Sequence, residues 1–319
     1  MLKICVLTLF SLTAAAANCA GAVNEGASGA QFLRIGVGAK AAALGEAGAA
    51  MSGVQALFYN PAGLAGGSGP EVYLSHAKWI LDTNYSNVAF ATKLGGGAFG
   101  LAASYLSNPA TDKYDKFGTK LLEKYSASDM AITLGYSHAL AGNTDFGFNV
   151  KHISSKLDTE SATALAADFG IKCAAAPGKF EFGIVIQNAG GKLNYINEGD
   201  PLPRNLKLGG QYTINVDNNA ATKKDVTFFL DVNSMKDSGP YANIGVDLLT
   251  VYDRKSNFSM RLGYRTNAGK SSGVSGGLGL DMKTYLVDYA YAPMGNLGNT
   301  HRFSLTFKFG AISSESEQE

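Results

Sequence analysis

The sequence has little cysteine, tryptophan, histidine or charge. Its 319 residues include three cysteines, one tryptophan and four histidines, and 17% are charged, against about a quarter in soluble domains. Cys5 and Cys19 lie in the N-terminal leader, which leaves Cys173 alone and excludes an intrachain disulfide or a cysteine metal site. The histidines, His76, His138, His152 and His301, are scattered without H-E-x-x-H spacing. No phosphate-binding loop occurs, and the run Gly273-Val274-Ser275-Gly276-Gly277 lacks the second spacer of a G-x-S-x-G elbow. A formal net charge of +1 offers no basic field for nucleic acid. The expectation is a protein that is not an enzyme, holds no cofactor or metal and has no nucleic-acid partner. Beyond the leader, no apolar stretch reaches the ~18 uncharged residues of a helical membrane span, so any crossing must use strands.

Glycine and aromatics are abundant: 39 Gly, 15 Tyr and 17 Phe, with 46% hydrophobic residues in all. Residues 1–22 carry Lys3, an apolar run from Ile4 to Ala17 and the small-residue end Ala20-Gly21-Ala22. That is the pattern of a secretory signal peptide cut before Val23. A lipoprotein signal ending at Cys19 is the rival, and the bulky amide of Asn18 disfavours it.

From Glu71 onward large apolar residues recur at every second position, the period of a strand with one apolar face. Met130, Ile132, Leu134 and Tyr136 show it, as do Phe303, Leu305, Phe307 and Phe309. The pattern predicts fourteen strands, at 71–79, 84–94, 97–107, 126–140, 144–156, 163–175, 179–189, 204–216, 224–235, 241–252, 256–267, 273–283, 284–292 and 300–309. An even count of segments about 9–11 residues long is what an outer-membrane barrel uses. Tight links such as Gly95-Gly96, Pro177-Gly178 and Lys283-Thr284 alternate with longer ones at 108–125, 190–203, 236–240, 268–272 and 293–299. This alternation predicts short periplasmic turns and longer external loops, with both chain ends in the periplasm.

A soluble secreted β-sandwich binding protein would show the same alternation. The leader, the strand lengths and the placement of charge favour the barrel. Asp168, Asp231, Asp247, Arg261, Asp281 and Asp288 each sit between apolar neighbours, on the face opposite the apolar one. In a barrel they become lumen charges that pair in a polar interior. Tyr85, Tyr105, Tyr125, Tyr136, Tyr212, Tyr252, Tyr264, Tyr285 and Tyr291 fall towards segment ends, as an interfacial belt would.

Between Asn24 and Ser68 the two-residue period disappears and Gly and Ala dominate. Small side chains permit close backbone approach to a surrounding wall. We read 23–69 as a hatch inside the barrel, with a short helix over about 38–52 and a turn at Asn60-Pro61-Ala62-Gly63. Gly36, Gly38, Lys40, Gly45, Asn60, Pro61 and Ala62 are its candidate lumen gate. The reading divides the chain into a signal peptide (1–22), a hatch (23–69), a barrel (70–309) and a polar tail (310–319). The fold class is all-β: a transmembrane antiparallel up-and-down barrel of about 14 strands plugged by a small, partly helical N-terminal segment.

The runs Gly29-Ala30-Gln31-Phe32-Leu33-Arg34-Ile35-Gly36-Val37-Gly38-Ala39-Lys40 and Ala56-Leu57-Phe58-Tyr59-Asn60-Pro61-Ala62-Gly63-Leu64-Ala65 resemble the N-terminus of PorV/PorQ-type proteins, within the wider FadL-like group. The end, from Tyr289 to Gly310, resembles that family's terminal hairpin. The resemblance implies a fourteen-stranded outer-membrane barrel with an N-terminal hatch. It also implies either handling of hydrophobic small molecules or service to protein export of the type IX kind. The implied partners are outer-membrane lipid and lipopolysaccharide, with a hydrophobic small molecule or secretion-system proteins. Loop 108–125 mixes Lys113, Lys116 and Lys120 with Tyr114, Phe117 and Tyr125, a composition suited to partner or lipopolysaccharide contact. One departure is that Phe309 is followed by a polar tail, where such barrels commonly end on an aromatic residue.

Overall fold

A computed structural model describes residues 26–196, 198–218, 222–252, 256–266 and 273–309. The expected leader and polar tail lie outside these residues. Fourteen strands form one closed antiparallel sheet. In chain order they are β1 (Glu71–Lys78), β2 (Asn84–Leu94), β3 (Gly97–Ser107), β4 (Ala127–Ala139) and β5 (Thr144–Leu157). Then follow β6 (Glu160–Ala176), β7 (Phe180–Gly190), β8 (Asn205–Asn218), β9 (Thr222–Met235) and β10 (Tyr241–Tyr252). The last four are β11 (Ser256–Arg265), β12 (Val274–Met282), β13 (Tyr285–Pro293) and β14 (Asn299–Lys308). Each strand pairs with its neighbours in sequence, and β1 closes the ring on β14 with Glu71 opposite Lys308. Closure removes the free edges a two-sheet sandwich would keep, so the soluble sandwich is excluded.

Alternation decides what each face meets. Leu101, Leu134, Val150, Leu262 and Phe303 point outward and stay exposed, while the residues on either side of each are buried. An apolar belt this continuous would be an aggregation surface in water, and it is the surface a lipid-facing wall requires. The backbone polar groups of the wall are satisfied by the closed hydrogen-bond ladder, the condition for a sheet to cross hydrocarbon. Among the described residues no helix is long and apolar enough to cross a membrane. Most of the belt tyrosines do face outward, but Tyr85 is buried inside the barrel. Its position on β2 has the inward parity, as Ala89 and Ala91 do.

One end of the wall carries tight turns such as Gly95-Gly96, and the other carries the longer connections. Two of these longer connections contain small hairpins of their own, Thr111–Tyr114 with Lys120–Tyr125 and Lys192–Asn194 with Gly199–Pro201. At the same end β5 and β6 run on almost to each other, and Asp158 turns the chain with φ of 56°.

Residues 26–69 fill the lumen. The helix expected over 38–52 is only α1 (Ala39–Ala43), because Gly45 and Glu46 take left-handed φ of 65° and 71° and send the chain back across the barrel. A second single turn, α2 (Ala56–Tyr59), precedes a 3-10 segment at Pro61–Gly66. The wall makes room for this backbone with inward glycines. At Gly147 a Cβ would collide with the Pro61–Ala62 peptide, and at Gly263 with the Leu44–Gly45 peptide.

The chain threads the lumen from the long-loop end to the short-turn end. Residues 29–34 lie at the long-loop end, where the Gly29 amide donates to the Pro201 carbonyl at 2.9 Å and Arg34 meets Asp237 at 3.5 Å. The chain then descends to β1, whose first residue, Glu71, is at the short-turn end. Both chain ends were expected on the short-turn side; the ends themselves lie outside the described residues, and the first described stretch is at the long-loop end. Loop 190–203 covers this stretch and buries Leu193 and Leu202 against Ala30 and Phe32, a contact that no local pattern encodes.

Candidate functional site

The Asn60-Pro61-Ala62 turn is the plug's central fastening. Asn60 is fully buried and caps the following 3-10 segment by accepting from the Ala62 amide at 3.2 Å. Its Nδ2 donates to the Ala49 carbonyl at 2.7 Å and to the Ile171 carbonyl of β6 at 3.1 Å. One amide side chain thus joins two plug segments to the wall. Gly36 accepts from Arg302 at 2.5 Å, and Gly38, with φ of 87°, lies where any Cβ would strike the Tyr73 hydroxyl. The Gly45 carbonyl accepts from Asn243.

Lys40 makes no hydrogen bond or ion pair among the described residues. Burial lowers the pKa of its ammonium, Arg261 lowers it further, and Asp247, Asp288 and Asp281 offset this only in part. The candidate gate residues therefore converge on the plug, and most of them serve its packing.

All six predicted lumen charges point inward. Arg261 bridges Asp247 at 3.0 Å and Asp288 at 2.5 Å, Asp168 holds Lys151 at 2.8 Å, and Asp281 holds Lys308 at 2.7 Å. Asp231 accepts the Gly48 and Ala49 amides at 2.7 and 2.9 Å and faces Lys207 at 3.7 Å. These pairs and the plug close most of the lumen. An inner chamber of about 70 Å³ remains, bordered by Phe58, Tyr59, Tyr85, Lys151 and Lys207.

Above the plug, at the long-loop end, a vestibule of about 380 Å³ opens. Its apolar side is built by Ala42, Val274, Ala292 and Met294, and Trp79 and Tyr241 stand at its border. Its polar side is Arg34, Glu46, Asp237, Arg265 and Arg302. Glu46, held out from the plug by its left-handed backbone, pairs with Arg265 at 2.8 Å and with Arg302 at 3.5 Å. Burial pushes the Glu46 carboxyl up, but Arg265, Arg302 and Lys207 outweigh it and hold it below its ordinary 4.5. The two guanidinium groups stack on aromatic rings, Arg265 on Tyr241 at 4.4 Å and Arg302 on Trp79 at 4.9 Å. A wider dip of about 560 Å³ on the outside wall, among Leu74, Val88, Tyr105 and Phe303, faces the lipid side and gathers no charge.

The vestibule was not anticipated from the sequence. The rule that found Arg261, a charge between apolar neighbours on a strand, misses Arg302, which sits between His301 and Phe303, although its place on β14 has the inward parity. Nothing local marks Glu46, Trp79 or Asp237. Among the described residues no group of His, Cys, Asp and Glu converges to hold a metal, and Cys173 is a free thiol.

No protein-family profile matches the sequence, and no curated protein matches it. Solved structures do resemble the fold. The toluene transporter TbuX of Ralstonia pickettii superposes with a TM-score of 0.56 at 14% identity, over 85% of this chain and 97% of that one. The toluene transporter TodX of Pseudomonas putida gives 0.55 at 12% identity, over 85% and 97%. A FadL homologue of Pseudomonas aeruginosa gives 0.51 at 10% identity, over 86% and 98%. Identities this low establish likeness of fold, and the fold is that of FadL-like barrels.

Proposed function

We propose that the protein is an outer-membrane barrel that takes up small, largely apolar molecules from outside and seats them first in the vestibule above the plug. The observation that carries this is the vestibule itself. It is a cavity at the long-loop mouth whose one side is apolar and whose other side carries five charged side chains, large enough to seat the apolar body of a small molecule. The belt of outward apolar residues and the likeness to toluene transporters support the membrane setting and the ligand's apolar character. Export through the inner membrane would use the signal peptide at 1–22.

The single tryptophan of the chain, Trp79, lines the vestibule, which makes the test direct. Titrating the purified barrel in dodecyl maltoside with toluene should shift Trp79 emission saturably. Ala42→Trp/Trp79→Phe, which fills the cavity and moves the fluorophore into it, should abolish binding. A flat titration with every small aromatic probe would sink the proposal.

A second reading, as an external scaffold in protein export of the type IX kind, is favoured by one observation. The hairpin Thr111–Tyr114/Lys120–Tyr125 holds Phe117 and Leu122 almost fully in solvent beside Lys116 and Lys124, a surface fitted to a protein partner or to lipopolysaccharide. Affinity purification of the intact barrel and of a Phe117→Ser/Leu122→Ser variant separates the readings. Recovery of secretion components with the intact barrel alone supports the scaffold, and their absence from both removes it.

A further inference from the structure

The vestibule is charged on one side in a way that an apolar ligand leaves unused. Arg265 and Arg302 share one carboxylate, Glu46, while Arg34 is matched by Asp237, so the wall carries a net excess of one positive charge. Five buried polar atoms there have no hydrogen-bond partner among the described residues: Arg265 Nε, Arg302 Nε, Asp237 Oδ1, Ser238 Oγ and Ser275 Oγ. All five belong to residues that line the vestibule. Arg302 and Asp237 are themselves almost completely buried, at 4% and 3% exposure. Buried donors and acceptors left unmade are destabilising, and a wall that keeps both kinds free is shaped for a ligand that supplies both.

Resting on the reading of the vestibule as the ligand site, we infer that its ligand is a small amphipathic zwitterion. The anionic group faces Arg265 and Arg302, a cationic ammonium donates to Asp237 Oδ1, and the apolar body lies against Ala42, Val274 and Met294. The position of the acid supports this assignment. Asp237 Oδ2 is already engaged by Gln31 at 3.0 Å and Arg34 at 3.5 Å, which orients the carboxylate and leaves its second oxygen free. The arginines are similarly fixed, since Arg302 donates to the Gly36 carbonyl at 2.5 Å and Arg265 to Glu46 at 2.8 Å. Groups held this way lose little freedom on binding, so their hydrogen bonds are expressed as affinity.

Four probes of one shape test it: phenylalanine, 3-phenylpropanoate without the ammonium, phenethylamine without the carboxylate, and toluene with neither. Each is titrated into the intact barrel in dodecyl maltoside, read by Trp79 emission and by calorimetry. Phenylalanine should bind about tenfold or more tightly than any of the other three, because each charged hydrogen bond is worth at least that factor. Asp237→Asn, which removes the acceptor for the ammonium and leaves Arg34 without its counter-charge, should erase phenylalanine's advantage over 3-phenylpropanoate. Arg265→Gln should erase the difference between phenylalanine and phenethylamine. Heat-modifiable migration of both variants establishes that the barrel has formed. If toluene or 3-phenylpropanoate binds as tightly as phenylalanine, the zwitterion assignment is overturned and the vestibule survives as an apolar site. If none of the four binds, the vestibule reading falls with it.

Discussion

Replacing Asp231 by alanine should release the plug while leaving the wall intact. The carboxylate accepts two plug amides, from Gly48 and Ala49, at 2.7 and 2.9 Å, and is the closest counter-charge to buried Lys207. Hydrogen bonds to a charged acceptor contribute about 1.5–3 kcal/mol each, so the pair of amides accounts for roughly 3–6 kcal/mol of docking free energy. Lys207 keeps a hydrogen bond to the Glu46 carbonyl at 3.4 Å but loses its charge partner, which adds to the loss. The ladder of β8, β9 and β10 uses backbone groups alone and is not interrupted. Hydrogen exchange of the barrel in detergent reads this directly. Since about 1.4 kcal/mol is a factor of ten, amides of residues 39–63 should exchange about 10²- to 10⁴-fold faster in Asp231→Ala, with strand amides unchanged. Plug protection within tenfold of the parent would refute the reasoning and show that the other wall contacts hold the plug by themselves.

Four further outcomes follow from the same contacts. Asn60→Ala removes three hydrogen bonds at a fully buried site and should cost about 2–4 kcal/mol of plug stability, visible as protease cleavage within 45–65 of the folded barrel; resistance equal to the parent would count against it. Gly147→Val should leave a heat-modifiable barrel whose plug amides are unprotected, because the added side chain occupies the path of the Pro61–Ala62 peptide; retained protection would show that the wall yields instead. Glu46 has a depressed pKa in the folded state, so its contribution is complete above about its ordinary 4.5 and disappears as pH falls through the lowered value. Plug exchange corrected for intrinsic rates should therefore rise as pH falls below about 4.5, and Glu46→Gln should shrink that rise while leaving the part carried by the Asp231 carboxylate. Leu262→Arg, at an outward position 67% exposed, should lower refolding stability in bilayers by about 2–4 kcal/mol, whereas no change would place that face in water.

A strand's period is local, and this is why so much of the wall was legible. Met130 to Tyr136 alternate whatever the partner strand does, so the count of fourteen and the inward parity of Asp168, Asp231, Asp247, Arg261, Asp281 and Asp288 could be read directly from residue order. The small side chains of the N-terminal segment likewise announced a backbone that must pass close to a wall. Helix length was not legible there: the alanines around Lys40 favour a long helix, and only the packing of Gly45 and Glu46 against β10 and β11 halts it after Ala43. Nor was the direction of threading, because the pairing of Gly29 with Pro201 joins residues far apart in sequence. The vestibule is the extreme case. Glu46 comes from the plug, Trp79 and Asp237 from two loops, Arg265 and Arg302 from the ends of two strands, and each is unremarkable in its own neighbourhood. Closing the barrel sets their distances, so the wall was readable from residue order, whereas the site at its mouth exists only in the folded ring.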